Sequence, residues 1–205
     1  MIKHKNILPV IVFSLIAFTL SPGCRSLAFL KGDEPEIVVK ETFDKSSPIA
    51  VLNFQKESTS PTVDLGRLAA EKFTDAMFLK LGLNTIDRSR VNESMRYLGI
   101  NSPESLSLDD IQKLGLRLKA GYLLLGRVKN LTGEDYLSED CNKNLTISFR
   151  LVSVLNGNVV ALGSYSSKYE GDAAVKIDEM VGDIMEKMKS GSEEEKADST
   201  NAGSN

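Results

Sequence analysis

The chain predicts an α/β fold in which helices flank a mixed sheet that ends in an antiparallel hairpin and a C-terminal helix. Three observations carry this. Ile49–Phe54 and Tyr122–Val128 are nearly unbroken apolar runs, the pattern of strands covered on both faces, and helical spacing fills the stretch between them. Leu145, Ile147, Phe149 and Leu151 alternate with Thr146, Ser148 and Arg150, the period of a strand with one polar face. A last apolar stripe, Ile177, Met180, Val181, Ile184 and Met188, recurs at helical spacing. The 205 residues hold one domain of about 150 residues with tails, which argues against a two-domain enzyme.

In chain order, Ile37-Val38-Val39 opens a strand ending near Phe43, and Pro48 begins the first buried strand. A loop over Gln55–Thr62 carries Ser58, Ser60 and Pro61. Leu65, Leu68, Ala69, Phe73, Ala76 and Met77 form the inner stripe of a helix that Gly82 ends. Asn84–Asp87 reads as a short strand and Arg88–Leu98 as a helix with Val91, Met95 and Leu98 inward. Ser107 followed three residues later by Asp110 is a capping pattern, and Ile111, Leu114 and Leu118 face inward after it. Asn156-Gly157 predicts a tight turn with both residues at positive φ, joining strands Asn144–Val154 and Asn158–Lys168. Gly191 closes the last helix.

The ends read differently. Lys3 and Lys5 precede an apolar run from Ile7 to Leu20, too short to span a bilayer as a helix and matching a signal-peptide core. Leu20-Ser21-Pro22-Gly23-Cys24 resembles a bacterial lipobox, departing from it at Pro22. The expected organisation is a signal peptide over 1–23, a lipidated tether over 24–35 beginning at acylated Cys24, the α/β domain over 36–190 and a disordered acidic tail over 191–205. Arg25 after the cysteine, by resemblance to the common sorting rule, favours the outer membrane, with the periplasmic face preferred.

Removing Lys3 and Lys5 with the signal leaves 23 basic residues against 28 acidic ones, a net charge of −5. Such a chain has no basic footprint for nucleic acid. His4, the one histidine, leaves as well, so the mature chain lacks the base of a Ser-His-Asp or Cys-His relay and the commonest transition-metal ligand. No cofactor is expected. Cys141 remains as the one thiol after Cys24 and is read as an inert side chain or an intermolecular disulfide partner. Glu134, Asp135, Glu139 and Asp140 crowd the 133–142 loop without the spacing of a calcium-binding EF-hand, which reads as a solvated loop. Gly126 and Gly157 belong to no phosphate-binding motif. Asp109 and Asp110 suit a helix N-terminus, Met77, Met180, Met185 and Met188 the core, and Arg150 paired packing on its strand's polar face.

Ile49–Phe54 with the Leu65–Gly82 helix, and Asn84–Val91 with Asp87 where Glu is usual, resemble the opening of a family of bacterial envelope lipoproteins. So do Leu114-Gly115 with the run Ala120–Val128, and Phe149-Arg150-Leu151-Val152 with Asn156–Val160, where Ser153 replaces the usual Asp. The family takes in the curli-secretion channel lipoprotein, the lipoprotein activator of penicillin-binding proteins and the N-terminal domain of the Tol-system propeller protein. The resemblance implies an anticodon-binding-domain-like fold, no enzymatic site, and binding to an envelope protein or to further copies of the chain. A pore subunit like the curli channel would need inserted membrane hairpins of about 20 residues each. The Leu131–Lys143 connection is shorter and acidic, and Ser164–Gly171 has no length to spare.

Overall fold

The computed structural model describes residues 34–40, 43–58, 64–132 and 143–201. A six-stranded mixed sheet organises them, built from β1 (Glu36–Val39), β2 (Ile49–Val51), β3 (Gln55–Ser58), β4 (Tyr122–Thr132), β5 (Lys143–Ser153) and β6 (Val159–Tyr169). Its order is β1-β6-β5-β4-β2, and β3 continues beyond β2 along β4. β2 and β3 run parallel to β4, while β4, β5, β6 and β1 pair antiparallel in succession. The expected α/β class with a terminal hairpin and C-terminal helix is therefore the fold observed.

Helices α1 (Leu65–Leu81) and α4 (Ala173–Asn201) cover one face. Ion pairs from Lys72 to Asp178 at 2.7 Å and from Lys80 to Glu186 at 3.7 Å advance together along both helices, so the two run side by side in the same sense. Beneath them Phe54, Phe73 and Phe149 stack with ring centroids 5.0 and 5.3 Å apart. Met77, Met180 and Met185 are buried in this core and Met188 packs at its margin, as their helical spacing requires. Each large apolar side chain fully buried there contributes about 1.5–3 kcal/mol. On the opposite face α2 (Arg88–Tyr97) and α3 (Leu108–Leu118) enclose a second core with Ala50, Leu52, Leu123, Leu125 and Val152. Ile49–Phe54 thus feeds both cores, as an unbroken apolar run should.

Local signals set the helix ends. Gly82 caps α1 at φ 64°, and the Ser107–Asp110 capping box starts α3 with both reciprocal hydrogen bonds formed. Four expectations are corrected. Gln55–Ser58 is the strand β3 and not a loop, held by its register with Arg127–Asn130. Asn84–Asp87 contributes only a bridge from Thr85 to Ile49. The hairpin turn spans Val154–Asn158 with Gly157 alone at positive φ; Val154 leaves the ladder because its N–H donates to the Gly121 carbonyl at 3.0 Å and its side chain packs over Gly115. Gly191 does not close α4, which runs on to Asn201, so most of the tail expected to be disordered is helical. A glycine inside a helix costs only about 1 kcal/mol, and Glu193, Glu194, Glu195, Lys196 and Ala197 after it favour helix.

Candidate functional site

α2 and α3 cover β2, the first part of β4 and the Val152 end of β5. Among the described residues no α-helix lies over the rest of that face, which takes in β1, most of β5 and β6 and the far half of β4. Strand register sets its side chains in rows. Val38, Leu162, Arg150 and Leu125 form the first, and Glu36, Ser164, Ser148 and Arg127 the second. Ser166, Thr146 and Lys129 make a third, and Lys168, Asn144 and Leu131 a fourth. Val38 is 63% exposed, Leu162 52% and Leu131 48%, although each stands in a strand of the central sheet.

The middle of this face is a floor of small polar side chains. Thr146 and Ser166 share a hydrogen bond at 2.9 Å, and the Ser166 hydroxyl donates to Asn144 Oδ1 at 3.2 Å. Arg127 rises beside it, held upright by Gln55 Oε1 at 2.9 Å and by Glu57 at 3.1 Å from β3. Between the two arginines Arg127 and Arg150, Ser148 and Ser164 leave a concavity of about 410 Å³, walled by Leu125 and Leu162. Strict alternation produces the floor: the same strands that send Ile147, Phe149 and Leu151 into the core must send Thr146, Ser148 and Arg150 outward. Arg127, Lys129, Arg150 and Lys168 outnumber Glu36 and Glu57, so the face is basic on a chain whose net charge is −3.

A second polar cluster lies where β2 ends. Arg88 donates to the Val51 carbonyl at 2.6 Å and to Asn53 Oδ1, and Asn53 donates to Asn92 at 3.2 Å. Burial lowers the pKa of Arg88, and its Nε lacks a hydrogen-bond partner. These contacts tie α2 to the strand end.

The structure separates the residues singled out by sequence. Arg150 stands on the open face. Asp110 caps α3, its carboxyl pulled below the usual range by the Ser107 hydroxyl and then by the Ser107 N–H. Asp109 pairs with Lys113 at 2.5 Å. Cys24, Cys141 and the acidic 133–142 loop lie outside the described residues, among which no three His, Cys, Asp or Glu side chains gather to hold a metal. No described helix is long and apolar enough to cross a membrane. Arg127, Lys129, Val38 and Leu162 were not apparent from the sequence as site residues. Their signal is the outward half of the alternation in β1, β4 and β6, which acquires meaning only once the strands are in register.

No family model and no curated protein matches the chain. Solved structures do. Lipoprotein GNA1162 from Neisseria meningitidis is 19% identical, covers 70% of this chain and 99% of its own, and has a TM-score of 0.52. A point variant of the PelC dodecamer from Paraburkholderia phytofirmans is 14% identical over 74% of this chain and 95% of its own, with a TM-score of 0.50. The LpoB C-terminal domain from Salmonella enterica superposes less well, at 13% identity, 63% and 88% coverage and a TM-score of 0.45. At these identities the likeness to GNA1162 and PelC is one of fold.

Proposed function

We propose that this chain is a lipid-anchored protein of the bacterial envelope whose α/β domain binds a protein partner through the half of the sheet face that none of the described helices covers. The carrying observation is that half, where Val38 and Leu162 stand exposed side by side at one end of an ordered polar floor. An exposed apolar patch rimmed by polar groups is the usual mark of an interaction surface. The lipobox at Leu20–Cys24 supports acylation of Cys24 and attachment to the outer membrane on its periplasmic face, and GNA1162, which shares the fold, is a lipoprotein. The role proposed is accessory or assembly factor, and the lack of any histidine after His4 in the sequence supports a non-enzymatic reading. Activation of a peptidoglycan synthase is the form this role takes in one branch of the family the sequence resembles.

A second reading is self-association, including a pore ring like that of the curli channel. It is favoured by PelC, which shares the fold and is a dodecamer. An intermolecular Cys141 disulfide would belong to this reading.

A photo-crosslinking residue placed at Ser148 on the floor, and at Leu79 on the exposed side of α1, separates these readings in intact cells. Adducts with another envelope protein from Ser148 and not from Leu79 are expected. Adducts of the chain with itself would favour the oligomer, and silence at Ser148 would remove the docking reading.

A further inference from the structure

Resting on the docking reading, we infer that the segment this face receives is an acidic amphipathic α-helix of a partner protein. Three observations converge on a helix with that charge.

The first is the state of the backbone. β4, β5 and β6 pair along their lengths with one bulge at Leu151/Val152, and β1 pairs with β6 over Ala161–Ser164, so the backbone groups shared by these strands are spent in the sheet plane and the face presents side chains. An extended peptide laid on such a face would bury its own backbone groups without partners, whereas a helix satisfies its backbone internally. Extended segments are recognised at a sheet edge.

The second is shape. The floor made by β5 and β6 is two strands wide, about 10 Å at 4.7–4.9 Å per strand, and a helix with its side chains is about 10–12 Å across. The two helical layers already present sit on the same sheet, one over its opposite face and one over the neighbouring half of this face. The bare half is one more berth of that kind. Its small side chains, Ser148, Ser164 and Thr146, let a helix come down close to the strands.

The third is charge and patterning. Arg127 and Lys129 on β4, Arg150 on β5 and Lys168 on β6 set four cations across the face against Glu36 and Glu57, and Val38 beside Leu162 gives it one apolar corner. A helix with an apolar contact at Val38 and Leu162 and carboxylates along the rest of its buried side matches that surface. Complementary charge of this sort selects the partner and speeds encounter. No aromatic side chain stands among the described residues of the floor for a nucleotide base to stack on.

The test uses the full-length lipoprotein in cells with the crosslinker at Ser148 or Ser164. Adducts are mapped to the partner segment, and the measurement is repeated with Arg150→Glu and Lys129→Glu together. The expected result is an adduct in an acidic helical segment, a yield lowered about tenfold by the double reversal, the equivalent of about 1.4 kcal/mol, and recovery when the facing carboxylates of that segment are changed to lysine. If the reversal variant loses its folded circular-dichroism spectrum, Arg150→Gln with Lys129→Gln replaces it, with a smaller loss in the same direction expected. The inference is overturned by an adduct in an extended or basic segment, in a glycan or in a second copy of the chain, or by a yield indifferent to the charge changes. No protein adduct from either floor position overturns the docking reading itself.

Discussion

Phe149 is sandwiched along the sheet by two residues without side chains. Its register partners are Gly126 on β4 and Gly163 on β6. A Cβ added at Gly163 would meet the Phe149 ring at 2.6 Å, and one at Gly126 would meet the Phe54 ring at 2.3 Å. These glycines are needed for space, since neither lies at positive φ. Gly126→Ala should therefore push Phe54 off the stack and destabilise the domain by about 1–3 kcal/mol, the range for overpacking. Chemical denaturation measures it, and a loss below about 0.5 kcal/mol would mean the ring moves aside freely. Asp110 supplies a pH-dependent counterpart. Its folded pKa is depressed, so its contribution is present above the unfolded value and is lost as pH falls through the folded one. Asp110→Asn should lower the denaturation midpoint near neutrality, and the gap from wild type should close as pH drops below about 4. A gap that stays constant across that range would show that the charged carboxylate is not what caps α3.

Elements were legible wherever one period dominated their residues. β5 follows from its alternation and α3 from its cap and inward stripe, because a single physical demand, burial or capping, fixes each. β3 was hidden because Gln55, Lys56, Glu57 and Ser58 include no apolar residue; its strand state comes from pairing with β4, where Arg127 grips both Gln55 and Glu57. β4 outlasts the apolar run that announces it, since beyond Val128 its outward residues, Lys129 and Leu131, face no helix and escape the demand to be apolar. The turn at Asn156-Gly157 was expected to leave Val154 and Asn158 at the strand ends, and the competing contact of Val154 with Gly121 and Gly115 opened it to five residues. For the docking face each outward residue could be read as polar or exposed. That they form one surface could not, because it depends on α2 and α3 settling over β2 and the Val152 end of β5 without reaching Ser148 and Thr146.

For the whole molecule, the constraint with the widest consequence is reach. β1 begins at Glu36 and is fixed to β6 from Glu36 opposite Ser164 to Val39 opposite Ala161, so the domain takes hold of the chain there. Between a lipid on Cys24 and that point lie Arg25–Pro35, eleven residues whose contour is at most about 40 Å. Lengthening the tether by releasing β1 would sacrifice its ladder and uncover Ile37, which packs against the main core. On the proposed anchorage the docking face therefore meets partners close to its own membrane, which weighs against activation of a synthase held in the inner membrane. Insertion of a flexible segment of about 30 residues after Pro35 tests this, since a coil of that length adds a span of about 30 Å. The Ser148 adduct should fall in yield when the tether is lengthened, because the effective concentration of a membrane-proximal partner drops as the domain explores a larger volume. An adduct to an inner-membrane synthase formed by the unmodified protein would overturn the argument, and would mean that the partner, and not the tether, spans the gap.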